Sequence, residues 1–476
     1  MKKLIYRILI FFHVFITWSA SGQVYFNKSI PLINSQAALS IQELSGGGYL
    51  IAGQNYKSSM QTLYFMRIDA NGDTLWTKEY GNPLNYYWVS YSSLNTTSDG
   101  NYICAGTIQD TTSNSDALLV KFTINGDTLW TKKFGGPYYD AGRDCQQTID
   151  GGYMLVVDSD SLNNGMNDFV LIKTDSLGNL EWRRRYDAGG YDVPVCGFQT
   201  QDNGFIISGA RGSNSSSTSN WIVKTDSTGQ MEWVRTFSSG GNDGLCWISQ
   251  LSNGEYISTG AKVVTGMNKQ ACIRKLKIDG TINWEKLFGS VGNDAFLFNV
   301  QEFSGSYVFV GNYTNLSGKY EGSLLKTDTT GNQIWERTFY YSPLVNNYVC
   351  DIKTTSDNGF IVCGQTVGIS GDVWFVKVDS NGCEISNCNV GIEEENNENE
   401  IFKLYPNPTN SNLNLSIKGE NLNEYNISIT DIIGQKQTFG RSNSVLFLEE
   451  LPPGIYIITA ISKNGEHNVS QKFIKQ

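Results

Sequence analysis

Histidine is almost missing from this 476-residue chain, which has only His13 and His467. Neither falls between residues 23 and 388, so that stretch has no imidazole to serve as general base, triad member or metal ligand. Long runs of helix-forming Ala, Glu, Lys and Leu are lacking as well, which argues against a helical architecture. None of the nine cysteines stands in a CxxC spacing, so the usual zinc signature is excluded, and no stretch matches the EF-hand pattern. The apolar run Ile8 to Ile16 falls short of the roughly 20 residues that span a bilayer.

That run follows Lys2, Lys3 and Arg7 and precedes Ala20, Ser21 and Gly22, the order of a secretory signal peptide, and cleavage is expected before Gln23. No cysteine follows closely, so lipid anchoring is not expected. Without residues 1–22 the chain carries 33 Lys and Arg against 46 Asp and Glu, a net charge of −13. Such a surface repels phosphate backbones, so nucleic acid is not an expected partner.

What the chain does have is aromatic residues (12%), 49 glycines and a repeat. Tryptophans recur at 76, 130, 182, 233, 284 and 335, and a period near 50 residues marks a solenoid or a propeller. Each ends a phrase such as Asp226-Ser-Thr-Gly229 before Trp233. A second phrase, Gly then an aromatic and β-branched residues, occurs seven times, from Gly48-Tyr49 to Gly359-Phe360. One unit reads as four short strands, in the fourth repeat 195–200, 205–209, 221–225 and 231–237, joined by tight Asp/Asn/Gly turns. Four antiparallel strands at this period make a propeller blade.

The seventh unit lacks its tryptophan strand, and one period back from Trp76 lies Tyr25 in Val24-Tyr-Phe-Asn-Lys. The expected fold is therefore all-β: seven four-stranded blades over residues 23–388, with residues 24–30 completing the last blade and closing the ring. A basic residue (Arg67, Lys121, Lys173, Lys224, Lys277, Lys326, Lys377) is expected to share a face with the acid of the Asp turn, and the tryptophans to pack between blades. These repeats, with Gly241-Asn-Asp243 and Gly292-Asn-Asp294, resemble a family of bacterial β-propeller repeats, a resemblance that implies a fold and no activity. The similarity to the tryptophan-docking motif of quinoprotein dehydrogenases lacks their adjacent cysteines, and the Asp-box of sialidases differs in glycine spacing.

Residues 389–401 are acidic and Asn-rich, a solvated linker. Residues 402–476 carry Leu404-Tyr405-Pro406-Asn407-Pro408, Ile429-Thr-Asp431-Ile-Ile-Gly434 and Leu451-Pro-Pro-Gly454-Ile-Tyr456. In these they resemble the C-terminal sorting domain of the type IX secretion system of Bacteroidetes, a small β-sandwich. The resemblance implies the type IX machinery as a partner, passage through the outer membrane, removal of the domain, and a secreted or cell-surface destination.

Candidate sites fall in the loops that join one blade to the next. Tyr86, Tyr87, Trp88, Tyr91, Tyr138, Tyr139, Tyr191, Tyr340 and Tyr341 are candidate binding residues, with Phe296, Phe298 and Tyr348 beside them. Exposed aromatics on a rigid scaffold suit sugar rings or a protein partner. Asp140, Asp192, Asp243 and Asp294 recur at the repeat period, and turned inward they would form a carboxylate ring for Ca²⁺. Asp158, Asp160 and Asp168 form a second calcium candidate. Cys383 and Cys388 are the expected disulfide, while Cys145, Cys196, Cys246 and Cys350 are expected as buried core thiols.

The acidic surface, the absence of histidine between residues 23 and 388 and the aromatic loops favour a binding module for a glycan or surface protein, expected as a monomer. The alternatives are a structural surface or matrix component, or a carbohydrate-active hydrolase or lyase. With no recognisable catalytic constellation, the chain is not expected to be an enzyme and needs no organic cofactor.

Overall fold

The computed structural model describes residues 24–384 and 402–475 except for 32–34, 58–59, 82–84, 113, 161–164, 215–216, 265–268, 290–294, 316, 369–370, 406–408, 418–420, 432–434 and 464–467. The expected signal peptide, the linker, Asp294 and Cys388 lie outside the described residues. The chain divides into two compact units at residues 386 and 387.

The first unit is a seven-bladed β-propeller. Each blade is a four-stranded antiparallel sheet whose strands pair in chain order, as in Asp140–Gln147, Tyr153–Ser159, Asp168–Thr174 and Leu180–Tyr186. The middle strands are buried on both faces (Tyr153–Ser159 and Asp168–Thr174 throughout), which is why they read as unbroken apolar runs. The outer strands alternate or face water. The fourth blade's inner strand, Tyr191–Gln199, starts earlier than its apolar pattern suggests. The blades interlock as successive apolar clusters, each built from two neighbouring sheets.

The seventh blade is Asn346–Thr354, Phe360–Val367 and Gly371–Val378, completed by Phe26–Ile30 from the other end of the propeller. Phe26 pairs with Lys377 just as Trp233 pairs with Lys224, so Phe26, not Tyr25, takes the place of the missing tryptophan.

The tryptophans are half-buried except Trp335, which is buried; they are less enclosed than expected of an inter-blade core. Their role is a seat for the next blade's Asp turn. Gly280, at φ +78°, rests so close to Trp233 that a Cβ there would stand 2.7 Å from the ring. The same contact joins Gly126 to Trp76, Gly178 to Trp130, Gly229 to Trp182, Gly331 to Trp284 and Gly382 to Trp335. Gly72 rests on Phe26 in the same way, so the closing strand continues the series around the ring.

The turn aspartate satisfies its own turn: Asp226 Oδ1 accepts N–H bonds from Thr228 and Gln230. The repeated lysine makes its ion pairs elsewhere than with the turn aspartate. Lys224 Nζ, 2% exposed, meets Asp202 at 2.8 Å and Glu232 at 2.9 Å, so it ties the blade's first hairpin to its outer strand. In the fifth blade the equivalent is Lys275, paired with Glu255 and with Trp284 across the strands; Lys277 stands in the turn itself.

The second unit stacks two four-stranded sheets. Phe402–Tyr405 and Asn412–Ile417 pair in the first, and Tyr425–Asp431, Gly454–Ser462 and Asn468–Lys475 pair in the second. Leu413, Leu415, Ile429, Leu446, Ile458 and Phe473 fill the space between them. Among the described residues no helix is long and apolar enough to cross a membrane.

Candidate functional site

The innermost strands converge on the central channel, where Asp351 of the seventh blade ties four blades together. Its carboxylate accepts bonds from Ser40 Oγ and Ile41 N at 3.1 Å, from Ser92 Oγ at 2.8 Å and from Asn299 Nδ2 at 3.0 Å. Ser92 takes a left-handed conformation (φ 52°) to reach it. Asp144 lies in the same channel, accepting from Cys145 N at 2.8 Å and Gly197 N at 3.1 Å. Burial pushes its carboxyl up to about 7 against the pull of those amides and of Lys353, with Asp351 adding to the rise.

Six of the seven innermost strands break register at one level, between Ala38 and Ser40, Val89 and Leu94, Gly142 and Asp144, Pro194 and Cys196, Leu297 and Val300, and Val349 and Asp351. A bulge re-aims the side chain it carries. The residues at this level are Leu39, Tyr91, Arg143, Val195, Phe298 and Cys350, joined by Trp247 of the fifth blade, and all line the channel mouth. Two cavities of about 530 and 550 Å³ open there, sharing Tyr91, Leu245 and Trp247. Their size is that of ordinary small-ligand sites.

Of the expected aromatic residues, Trp88, Tyr91 and Tyr139 line the first cavity. Phe296, Phe298 and Tyr348 line the second with Tyr91. Tyr86 is exposed and stacks on Trp88, ring centres 6.2 Å apart. Tyr87 is not a surface residue: it is 5% exposed, edge-on to Tyr80 and packed beneath Gly81. Tyr138, Tyr340 and Tyr341 are exposed but line neither cavity. Tyr191 is half-buried beside Asp158 and Arg143. The sequence reading missed Tyr56, Arg143, Trp247 and Tyr320; the signal for two of them was the 52-residue step from Tyr91 through Arg143 and Val195 to Trp247.

Among the described residues lining the cavities, Arg143 is the one that is charged. Its Nη2 pairs with the carboxylate of Asp158, which is buried behind it, and lies 3.5 Å from the Tyr139 hydroxyl. Burial, then the Asp158 charge, pushes the Tyr139 phenol up to about 12, so it keeps its proton at neutral pH. Tyr191 is raised for the same two reasons.

The inward carboxylate ring does not form from the described residues. Asp140, Asp192 and Asp243 each cap the loop entering their own blade, accepting the N–H of Gly136 (2.9 Å), Ala188 (2.7 Å) and Ser239 (2.6 Å). Asp140 also pairs with Arg183 at 3.0 Å. Their repeat period comes from this shared loop conformation. In the second calcium candidate, Asp158 is taken by Arg143 and Asp160 accepts from Gly165 N. Asp168 gathers instead with Asp187 and Asp192, where Arg185 Nε meets Asp168 at 2.6 Å and Nη2 meets Asp187 at 2.8 Å. Cys383 is disulfide-bonded. Cys145, Cys196, Cys246 and Cys350 are buried and free, along with Cys104, Cys272 and Cys363.

Residues 403–476 match the secretion system C-terminal sorting domain family. The second unit is a type IX sorting domain. It brings the chain to the type IX machinery, implies a Bacteroidetes origin, and makes this a secreted or outer-surface protein. No curated protein matches the chain.

Ahead of the sorting domain, the solved structures similar to this one are β-propeller proteins. An ulvan lyase, described as a new family of polysaccharide lyase, is 9% identical with a TM-score of 0.51, over 75% of this chain and 97% of its own. A protein of unknown function from Bacteroides caccae is 12% identical with a TM-score of 0.38, over 64% of this chain and 94% of its own. At that identity the likeness to the ulvan lyase is one of fold alone. It nonetheless overturns the expectation that the chain ahead of the sorting domain is not an enzyme. The ulvan lyase shares this fold, so the propeller itself is no reason against catalysis.

Proposed function

We propose that the secreted propeller recognises a carbohydrate chain at the mouth of its channel. The observation that carries this reading is the pair of cavities walled by Tyr56, Trp88, Tyr91, Tyr139, Trp247 and Phe298, rings contributed by five different blades. Sugar rings present C–H faces that stack on aromatic surfaces, and a rigid ring of strands holds such surfaces without ordering cost on binding. Trp247 is the central contact: it borders both cavities and is braced edge-on by Phe298 at 5.0 Å.

The test is a glycan-array screen of the mature chain beside Trp247→Ala. Selective binding that falls at least about tenfold in the variant is expected, since buried aromatic anchors carry about 2 kcal/mol or more of binding energy. Equal binding by both proteins sinks the reading.

Turnover of the bound chain is a second reading, favoured by the Arg143, Tyr139 and Asp158 group at one wall of the mouth. An arginine can neutralise an acidic substrate group, and a tyrosine hydroxyl that keeps its proton can pass it to the sugar oxygen as that oxygen departs. Release of unsaturated or reducing ends from any bound polysaccharide would establish it, and their absence under saturating binding would refute it.

A further inference from the structure

Charge is distributed very unevenly at the mouth. The chain is acidic overall, yet among the described residues those lining the two cavities include no carboxylate and one cation, Arg143. At the bulge level the other blades present Leu39, Tyr91, Val195, Trp247, Phe298 and Cys350, none of them charged at neutral pH. Aromatic and aliphatic walls lower the local dielectric, which strengthens the field of a single guanidinium inside the cavity.

The pairing of Arg143 is incomplete. An arginine with a purely structural role against a carboxylate commonly meets it through two parallel N–H bonds. Here Nη2 alone takes Asp158, while Arg143 Nε and Asp158 Oδ1 are both buried with no hydrogen-bond partner. Asp158 is 1% exposed, whereas the Arg143 side chain is 33% exposed. The anion therefore sits behind the cation, and the cation faces the open space.

We infer that Arg143 selects an anionic sugar unit, a uronate carboxylate or a sulfate ester, held against the blade-3 wall while neighbouring sugars stack on the aromatic rings. This rests on the carbohydrate reading above and adds the substrate class. Both anions present planar or forked oxygen pairs that suit a guanidinium. Tyr139, whose hydroxyl lies at the same nitrogen and keeps its proton, can donate a second bond to the bound anion.

The experiment is calorimetric titration of the mature chain with size-matched oligogalacturonate, sulfated galactan, neutral cello-oligosaccharide and a polyglutamate peptide. The variants are Arg143→Gln and the paired Arg143→Gln with Asp158→Asn, which removes both charges and so leaves no buried carboxylate unpaired. The expected result is that one or both anionic saccharides bind at least tenfold more tightly than the neutral one. That preference should weaken with salt and vanish in the paired variant, which keeps the wild-type melting temperature. Whichever anion binds identifies the source of the charge. Equal affinity for neutral and anionic saccharides, or a preference unchanged in the paired variant, overturns the role of Arg143 and leaves the carbohydrate reading standing. No saccharide binding at all overturns both. Arg143-dependent binding of polyglutamate without saccharide binding overturns both in favour of an acidic peptide.

Discussion

Replacing Phe26 by alanine should open the ring without touching any blade's own hairpins. Phe26 is 7% exposed, edge-on to Phe375 at 5.7 Å and to Tyr49 at 6.3 Å, and it carries Gly72 of the first blade. Its strand is further fixed by Trp374 Nε1 donating to Asn27 Oδ1 at 2.7 Å. A buried aromatic side chain hides about 200 Å², worth about 5 kcal/mol at about 25 cal/mol/Å². The unfolded chain already hides part of that area, which brings the figure to about 3–4 kcal/mol, within the about 3–5 kcal/mol usual for Phe→Ala in a core. Urea unfolding of the mature chain, followed by tryptophan fluorescence, reads the loss as a lower midpoint for the propeller transition. Lys28→Ala is the control: Lys28 and Asp73 form a 2.5 Å pair at 36% and 70% side-chain exposure, so about 0.5 kcal/mol or less should be lost. A Phe26→Ala loss under about 1 kcal/mol would refute the closing role of this strand.

Three further outcomes are expected. Gly280→Ala should cost about 1–3 kcal/mol, because its Cβ meets the Trp233 ring and its φ is left-handed; with Trp233→Ala the two losses should sum to less than their separate values, and strict additivity in thermal melts would contradict the seat. Asp351→Ala should cost about 3–5 kcal/mol by orphaning donors from several blades at the channel centre, and a melting temperature within a degree of wild type would contradict the cross-channel tie. Asp144, raised to about 7, and Asp192, raised by burial and then by Asp168 and Asp187 to about 6, hold protons in the folded state that the unfolded chain releases near 4. Their contribution is present below about pH 4 and is lost as pH rises through 6 to 7, so Asp144→Asn should flatten the fall of stability over that window in pH-resolved unfolding; an unchanged slope would contradict it.

The scaffold was legible because its information is periodic. Six tryptophans, seven Gly-aromatic phrases and a spare N-terminal strand define the blades and their closure without any long-range contact being known. The tryptophan's task was less legible, since a ring seating the next blade's glycine and a ring buried between sheets leave the same spacing. The mouth was the hardest part. Period-two alternation assigns faces only within an unbroken ladder, and the bulges reset it just where Tyr91, Arg143 and Phe298 turn toward the channel. Tyr86, Tyr87 and Trp88 look alike in sequence, yet the ladder puts Tyr87 in the core and its neighbours outside. Asp140, Asp192 and Asp243 misled for the opposite reason: their period is real, but it records a loop that each one caps.

The most direct measurement is a crystal structure of the mature chain with the tightest-binding saccharide from the array. The expected result is a sugar chain seated in the channel mouth, stacked on Trp247 with its charged unit against Arg143. A saccharide held anywhere else on the propeller, with the mouth left to solvent, would contradict the assignment of this surface.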